Sequence, residues 1–251
     1  MAINKIFKNP TVKQVIFQIQ FPNLFYLENK IPDIQLDIIS MFPESALIVQ
    51  SPFAITIGNN PIAPQESEND AIAYKAWEFR NANGYELSVT STTLSISSKL
   101  HKTYNNRDGE HRFRETIEFV LGAFEKHIKF PIINRIGLRY IDECPLPEKT
   151  TALYADYFNT AFNLEKNPIE QINEMRLYIV KDVGDCKIIY QENYLPLNAP
   201  KIVVLDFDGY KQNVEFQDCL ITTDKLHSII SDEYENSIKK PIFDYMEGGR
   251  L

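Results

Sequence analysis

Apolar and polar side chains alternate along several stretches of this sequence, and this period of two constrains the fold more than any other feature. The first stretch covers residues 12–21, where every second side chain is apolar: Val15, Phe17, Ile19 and Phe21. Side chains of a β-strand point alternately to opposite faces, so the stretch predicts a strand with one buried face. A second layer is then needed to cover that face.

A β-hairpin is predicted around Asn83-Gly84. Alternating apolar residues run through 73–80 and resume at 85–89. Asn-Gly between two such segments is typical of a two-residue type I′ turn. Residues 94–96 continue the alternation and extend the hairpin into a meander.

The second part of the chain contains a similar pattern. Residues 175–179 and 186–190 alternate on either side of Val183-Gly184-Asp185, which predicts a turn between two strands. Residues 46–57 and 202–208 predict two further strands.

Two long segments have apolar residues at helical spacing instead. The first ends before Pro131, and its apolar face comprises Phe113, Ile117, Val120, Leu121, Phe124 and Ile128. The second is expected to be capped by Thr222 or Thr223. Its apolar residues are Leu226, Ile229, Ile230, Tyr234 and Ile238.

Each half of the chain thus contains a short helix, several antiparallel strands and a long helix, with the short helices predicted within 32–43 and 153–162. This order predicts the α+β class, as an extended antiparallel sheet with long helices packed on one face. The 251 residues fit a single domain, 1–251. Two similar halves, 1–145 and 146–251, are a further interpretation of the repeated order, although the residue identities do not repeat.

Composition argues against several classes of protein. Glycine accounts for 9 of 251 residues and no GxGxxG or GxxxxGK[ST] string occurs, so neither a Rossmann site nor a P-loop is expected. The net charge of −8 disfavours broad binding to nucleic acid. No apolar run approaches the roughly 20 residues of a membrane-spanning helix. The three cysteines form no CxxC pair, which favours a reducing cytoplasm over a disulfide framework or a structural zinc.

Two arginines form the first candidate site. Residues 132–142 predict a strand, and Arg135, Gly137 and Arg139 share one of its faces. Gly137 leaves space between the two guanidinium groups, which are planar donors suited to a carboxylate or a phosphate. The alternative is structural, because buried arginines rarely go unpaired and would bond to carboxylates of a neighbouring strand.

Two aspartates form the second candidate site. Asp206 and Asp208 share a strand face, and two carboxylates at this spacing are suited to Mg²⁺. The string from Asp206 to Gly209 also resembles the first motif of haloacid-dehalogenase-type phosphatases. We reject that resemblance because the motif opens a long α/β domain, and because Tyr210 stands where Thr or Val is usual. Apart from this Mg²⁺ alternative, no cofactor is expected.

The two candidates also fit a single feature. Arg135 and Arg139 can face Asp206 and Asp208 across the sheet, and a network of four charges would fix the strand register. In an open cleft, the same four residues would form an anion or metal site. The sequence leaves both interpretations open and assigns no catalytic residue.

The string from Arg135 to Ile141, RIGLRYI, follows an amphipathic helix and resembles the signature of an uncharacterised family of bacterial proteins of about this length. Val203 to Asp208 and the closing helix with Leu226-His227 extend the resemblance over most of the chain. The chain departs from the family pattern at Asp142, where the pattern has Asn. The family is sporadically distributed and has no established activity. That distribution implies carriage on mobile elements, in accessory or defence-type loci.

These observations predict a cytosolic bacterial interaction or regulatory protein of an accessory locus, which acts with a protein partner or as a homodimer. Membrane association is not expected. The alternative is a small-anion or nucleotide-binding sensor, or a Mg²⁺-dependent phosphoesterase, that uses Arg135, Arg139, Asp206 and Asp208.

Overall fold

The computed structural model of the protein describes residues 5–50, 74–106, 108, 112–194 and 202–249. Nine β-strands lie in these ranges: β1 (Val12–Gln20), β2 (Glu44–Gln50), β3 (Tyr74–Arg80), β4 (Tyr85–Val89), β5 (Thr93–Ser98), β6 (Ile133–Pro145), β7 (Met175–Val183), β8 (Cys186–Tyr194) and β9 (Ile202–Val214). The same ranges contain five α-helices: α1 (Ile31–Ile38), α2 (Phe113–His127), α3 (Thr151–Tyr157), α4 (Cys219–Ser237) and α5 (Lys240–Met246). Short 3₁₀ helices occur at Leu27–Lys30, Ile169–Gln171 and Phe216–Asp218.

The nine described strands belong to one antiparallel sheet, in the order β2-β3-β4-β5-β1-β6-β9-β8-β7. The first of the described strands lies at the centre, because β1 pairs with both β5 and β6. The longest pairing joins β6 and β9, from Ile133 opposite Val214 to Pro145 opposite Ile202. An antiparallel sheet combined with helices confirms the predicted α+β class.

The alternation in the sequence becomes a division between buried and half-buried side chains. In β1, Val15 and Phe17 are fully buried, whereas Ile16 between them is partly exposed. The buried strand residues join apolar helix residues in one hydrophobic core. The backbone of β9 approaches α4 closely, since a Cβ atom added to Gly209 would lie 3.2 Å from Ile230 Cδ1. The missing side chain at Gly209 therefore allows α4 to lie directly against the sheet.

The long helix α2 begins at Phe113, as the sequence predicts. The last long helix begins earlier than predicted, because the 3₁₀ turn at Phe216–Asp218 leads directly into α4 at Cys219. Thr223 then lies inside the helix, and its hydroxyl donates to the Cys219 carbonyl at 2.8 Å. The expectation that Thr222 or Thr223 caps this helix is wrong.

Both predicted hairpins are present, but the first turn is not of type I′. That turn type requires positive φ at both central residues, and of the two residues only Gly84 has it, at +76°. The β3–β4 loop is instead fixed by Asn81, whose Oδ1 accepts hydrogen bonds from the backbone N–H groups of Asn83 and Tyr85. The β7–β8 hairpin turns at Gly184, where φ is +64°.

Several elements differ in extent from their predictions. The predicted helix at 153–162 ends at Tyr157 as α3, and α5 was not predicted because its seven residues give too short a periodic pattern. The predicted strand at 46–57 corresponds to β2, and its residues 51–57 lie outside the described part of the chain. None of the described helices has the length and apolar character that crossing a bilayer requires.

Candidate functional site

Arg135, Arg139, Asp206 and Asp208 lie together on one face of the sheet, where β6 and β9 run side by side. The Arg135 Nη2 group donates to both carboxylate oxygens of Asp208, at 2.8 and 2.7 Å. Arg139 donates from Nε and Nη2 to the two oxygens of Asp206, at 2.8 and 2.5 Å. The four residues therefore form two neighbouring ion pairs that connect the strands.

The space above Gly137 is occupied by the protein itself. A Cβ atom added at Gly137 would lie 2.5 Å from Arg135 Nη1, so the Arg135 side chain folds over the glycine. The guanidinium carbon of Arg135 also lies 4.6 Å from the centre of the Tyr210 ring. The sequence predicts space for a ligand between the two arginines. In the structure the guanidinium group of Arg135, which bonds to Asp208, fills that space.

Burial and the ion pairs both shift the pKa values of this cluster. Burial raises the pKa of Asp208, and the neighbouring Arg135 counteracts this rise. The pKa of Arg139 is raised by the hydrogen bond that this residue donates to Asp206. Within the described ranges, no group of three or more His, Cys, Asp or Glu side chains is arranged to hold a metal ion. A role of Asp206 and Asp208 in binding Mg²⁺ stays a prediction.

A pocket opens on the other face of β6, near the end of the sheet where β1 begins. Its walls come from the segment before β1 (residues 5–11), the segment after β5 (residues 101–104), β6 itself, α4 and the end of α5. The space between them is about 670 Å³, including the part open to solvent. Polar and aromatic side chains line it: Thr11, His101, Tyr104, Tyr140, Asp142, His227, Ser231 and Tyr234. The two candidate sites predicted from the sequence include none of these residues.

Asp142 places a carboxyl group in this pocket. The residue is only 2% exposed, and Thr11 Oγ1 donates to its Oδ1 at 2.8 Å. Tyr234 Oη lies 2.6 Å from the same Thr11 hydroxyl. Either hydroxyl can be the donor in this contact. When Asp142 is ionised, Thr11 donates its one hydroxyl proton to the carboxylate, and Tyr234 then donates to Thr11. The result is a chain of hydrogen bonds that runs from α4 through the segment before β1 to the carboxyl group.

Burial dominates the electrostatics of Asp142. It raises the pKa of this carboxyl group to about 7, although the Thr11 hydrogen bond opposes the rise. The negative charge of Asp206, which belongs to the opposite face of the sheet, raises this pKa further. Among the described residues, no basic side chain forms an ion pair with Asp142. A buried carboxyl group without a counter-ion is costly to ionise, so Asp142 keeps its proton to a higher pH than an exposed aspartate does.

Two other polar atoms at the pocket lack a hydrogen-bond partner among the described residues. They are His101 Nδ1 and Tyr140 Oη, and both are buried. The His101 ring contacts the Tyr140 ring edge to face, with centroids 5.4 Å apart. Burial lowers the pKa of His101 to about 3, so its imidazole is neutral and one ring nitrogen carries a lone pair.

His227 of α4 forms part of an aromatic wall. Its ring stacks on Tyr104, with centroids 4.0 Å apart and ring planes at 10°. Tyr104 is held in place because its hydroxyl donates to Asp224 at 2.7 Å, and Arg114 of α2 donates to the same carboxylate. Burial lowers the pKa of His227 to about 4, so this imidazole is neutral as well.

A second buried carboxylate shows by contrast what is unusual about the pocket. Glu192 of β8 is 0% exposed and accepts hydrogen bonds from the hydroxyls of Tyr154, Thr160 and Tyr190, at 2.5 to 2.9 Å. Its two oxygens are therefore satisfied within the core, as expected for a structural polar group. At the pocket around Asp142, by contrast, His101 Nδ1 and Tyr140 Oη have no partner in the part of the chain that the structure describes.

The sequence contained one signal for this pocket. Asp142 has the strand parity of Ile136, Leu138 and Tyr140, so it belongs to the buried face of β6. A carboxylate in an apolar register marks either a closed polar cluster or a functional site. His101 and His227 gave no such signal, because they come close to Tyr140 only in the folded chain.

Comparison with protein-family models, with curated proteins and with solved structures finds no match to this chain. The resemblance to a sporadically distributed bacterial family therefore stays a prediction.

Proposed function

We propose that this chain is a regulatory protein that binds a small molecule in the pocket formed by Thr11, His101, Tyr140, Asp142 and His227. One observation carries the proposal. Of the three buried side-chain atoms without a hydrogen-bond partner among the described residues, two, His101 Nδ1 and Tyr140 Oη, line this pocket. Each such atom costs about 1–3 kcal/mol when nothing bonds to it, so a ligand that bonds to both would recover this free energy.

Binding is better supported than catalysis by the chemistry of the pocket. Both histidines are neutral, and the Thr11 hydroxyl already donates its proton to Asp142. A nucleophile would need a base within hydrogen-bond reach, and among the described pocket residues no such pair involves His101 or His227. The Arg135 and Arg139 alternative has weaker support, because each guanidinium is already bonded to an aspartate.

Native mass spectrometry of the protein, captured gently from its own host, tests the proposal. We expect a small bound mass on the wild-type chain. Tyr140→Phe, which removes one free hydroxyl, should weaken retention of this mass, and Ser231→Phe should abolish it by filling the pocket. Asp33→Asn, an exposed change in α1, is the matched control and should retain the mass.

Two outcomes of this experiment would contradict the proposal. A mass that both Tyr140→Phe and Ser231→Phe retain would place the ligand elsewhere. A wild-type chain that carries no mass, and whose melting temperature no member of a fragment library raises, would refute ligand binding in this pocket.

We also propose that the chain forms a homodimer through β7, which is the last strand at one side of the described sheet. Antiparallel pairing of two copies of β7 about Ile179 would place Arg176 opposite the partner's Asp182 and Tyr178 opposite the partner's Val180. All four side chains have the same strand parity, and Tyr178 and Val180 are 60% and 47% exposed. Opposite charges and apolar pairs across strands are stabilising, so this register is self-complementary.

A charge swap tests the homodimer. Arg176→Glu and Asp182→Arg should each dissociate the dimer, because like charges would then face each other. The double variant should restore it by exchanging the two signs. Sedimentation velocity would give the oligomeric state, and a monomeric wild type, or two single variants that remain dimeric, would exclude this interface.

We further propose that the long helices α2 and α4 cover one face of the sheet, and that the chain consists of two similar halves. The close approach of Gly209 to Ile230 supports the first point. The sheet order supports the second, since β5 returns to pair with β1 and β9 returns to pair with β6. This pairing favours a boundary before β6, whereas the boundary predicted after residue 145 assigns β6 to the first half.

The accessory or defence-type context is a separate proposal that rests on the family resemblance. A ligand-binding homodimer is suited to such a role, because ligand binding and self-association can be linked. The genes that flank this one in its host would test the proposal.

A further inference from the structure

We propose that the ligand of the pocket is a small organic cation with N–H donors, such as an amine, an amidine or a protonated nitrogen heterocycle, and that its positive nitrogen pairs with Asp142. This inference rests on the proposed ligand-binding function and adds the chemical class of the ligand. It is carried by the polar atoms that face the pocket, by their charges and by the aromatic rings around them.

The free polar atoms of the pocket favour a ligand that donates hydrogen bonds. Asp142 offers a carboxyl group, and ionised carboxylates only accept hydrogen bonds. The neutral His101 ring has one nitrogen with a lone pair, and its unpartnered Nδ1 can supply it. Tyr140 Oη can accept as well as donate. A ligand with several N–H groups would satisfy all three positions.

The charges around the pocket disfavour the binding of an anion. Of the β6 residues that line the pocket, Asp142 is the charged one, and α4 contributes the neutral His227 with Asp224 behind it. The segment after β5 contributes the neutral His101 and an exposed Lys102. At pH 8, where Asp142 is mostly ionised, a bound anion would place two negative charges side by side in a buried site, and the charges would repel each other.

The remaining wall of the pocket adds one cation that is already paired. Lys5 donates to Glu247, which follows α5, at 2.5 Å. Its side chain is 59% exposed, so its charge is largely screened from the interior. Asp142 therefore lacks a counter-ion among the described residues, and a bound cation would supply one.

Aromatic rings provide the second part of a cation site. Tyr104 and His227 form a stacked wall, while Tyr140 and Tyr234 line the pocket from the sheet and from α4. The faces of tyrosine rings attract cations within about 6 Å of the ring centre, most strongly where water is excluded. Carboxylate and aromatic groups together are a common means of recognising organic ammonium and amidinium groups.

Proton release from Asp142 would accompany binding of a cation. A positive nitrogen beside the carboxyl group favours its ionised form, so the cation binds more weakly below the pKa of about 7. The two histidines act in the same direction only at lower pH, since their pKa values are about 3 and 4.

Three molecules of nearly equal shape test the inference by isothermal titration calorimetry: benzamidine, a cation; benzamide, neutral; and benzoate, an anion. We expect benzamidine to bind at pH 8 at least about tenfold more tightly than either analogue, and to bind more weakly at pH 5.5. Asp142→Asn should remove the preference for benzamidine and its pH dependence. Asp33→Asn, at an exposed residue that does not line the pocket, should leave both unchanged.

The outcomes separate this inference from the proposed function. If benzamide or benzoate binds as well as benzamidine, and Ser231→Phe abolishes that binding, the pocket binds ligands but the cation inference is wrong. Equal binding of benzamidine to wild type and Asp142→Asn would also overturn it. If none of the three binds, the cation inference fails. The proposed function is then decided separately, by whether the native protein carries a bound mass that the pocket variants lose.

Discussion

The guanidinium group of Arg135 lies directly over Gly137, at a distance where a Cβ atom on residue 137 would be 2.5 Å from Nη1. Real Cβ atoms do not approach other heavy atoms this closely, so in Gly137→Ala the Arg135 side chain must shift, and its contacts with Asp208 and Tyr210 are weakened. We expect the free energy of unfolding to fall by up to about 2 kcal/mol, since a half-buried ion pair and a cation–π contact are both weakened. Urea denaturation measures this loss.

A double-mutant cycle shows whether the loss passes through Arg135. In an Arg135→Ala background, Gly137→Ala should cost much less, since no guanidinium remains to be displaced. Gly122→Ala is the control: it lies in α2 with no atom near its added Cβ, and should stabilise the protein by up to about 1 kcal/mol. Equal costs of Gly137→Ala in both backgrounds would contradict the packing that we describe.

Two tyrosines of the pocket should respond oppositely to loss of the hydroxyl group. Tyr140→Phe removes a buried hydroxyl that has no partner among the described residues, so we expect it to raise the free energy of unfolding by about 1 kcal/mol. Tyr234→Phe removes the hydrogen bond to Thr11 and should lower it by a similar amount. Thermal denaturation of the ligand-free protein distinguishes the two. A destabilised Tyr140→Phe variant would mean that the hydroxyl is bonded in solution.

Asp142→Asn should stabilise the ligand-free protein in a way that depends on pH. The folded-state pKa of about 7 lies above the ordinary 3.8, so the folded protein binds the extra proton. Wild-type stability attributable to Asp142 is present below pH 3.8 and is lost as pH rises to about 7. The advantage of the variant over wild type should therefore grow by a few kcal/mol between pH 4 and pH 8. Denaturation curves at both pH values give this difference, and a constant difference would show an ordinary pKa at Asp142.

His227→Phe should change how the free energy of unfolding responds to acid. The wild-type contribution of His227 is lost as pH falls, whereas that of Asp142 is lost as pH rises. The pKa of His227 is lowered from 6.5 to about 4, so its contribution to stability is present above pH 6.5 and is lost as pH falls through 4. Phenylalanine keeps a ring against Tyr104 and cannot take up a proton. The variant should lose about 3 kcal/mol less than wild type between pH 7 and pH 4. Parallel pH profiles of variant and wild type would contradict the burial of this ring.

The three cysteines should be unreactive in the native protein. Cys144, Cys186 and Cys219 are at most 2% exposed, and burial raises the pKa of each thiol above its usual range. Since the thiolate is the reactive form, Ellman's reagent should modify them only after denaturation. Stoichiometric reaction of the folded chain at pH 7 would show that at least one thiol is accessible.

How much the sequence predicts depends on the distance over which the residues interact. The alternation of Val15, Phe17 and Ile19 is local and predicts β1 correctly, as helical spacing predicts α2. Predicting the Arg–Asp network from the sequence requires one further assumption, namely that β6 and β9 lie side by side in the sheet. The turn at Asn83-Gly84 shows the limit of a local motif, since Asn81 determines the loop through its side chain.

The pocket shows what local patterns cannot provide. Thr11, His101, Tyr140 and His227 are separated by long stretches of chain, and no spacing rule relates them. Each has an ordinary role in its own element. Their combined chemistry arises only when α4 and the segment after β5 meet the buried face of β6.

The central position of β1 has a consequence for synthesis of the chain. When residues up to Ser98 have left the ribosome, β1 can pair with β5 on one side. Its other edge stays without a partner until β6 emerges, after the whole of α2 has been made. During that interval the nascent protein presents an unpaired strand with apolar residues, which is a template for pairing with other chains. Translation rate and chaperone access between residues 98 and 145 should therefore control the yield of folded protein.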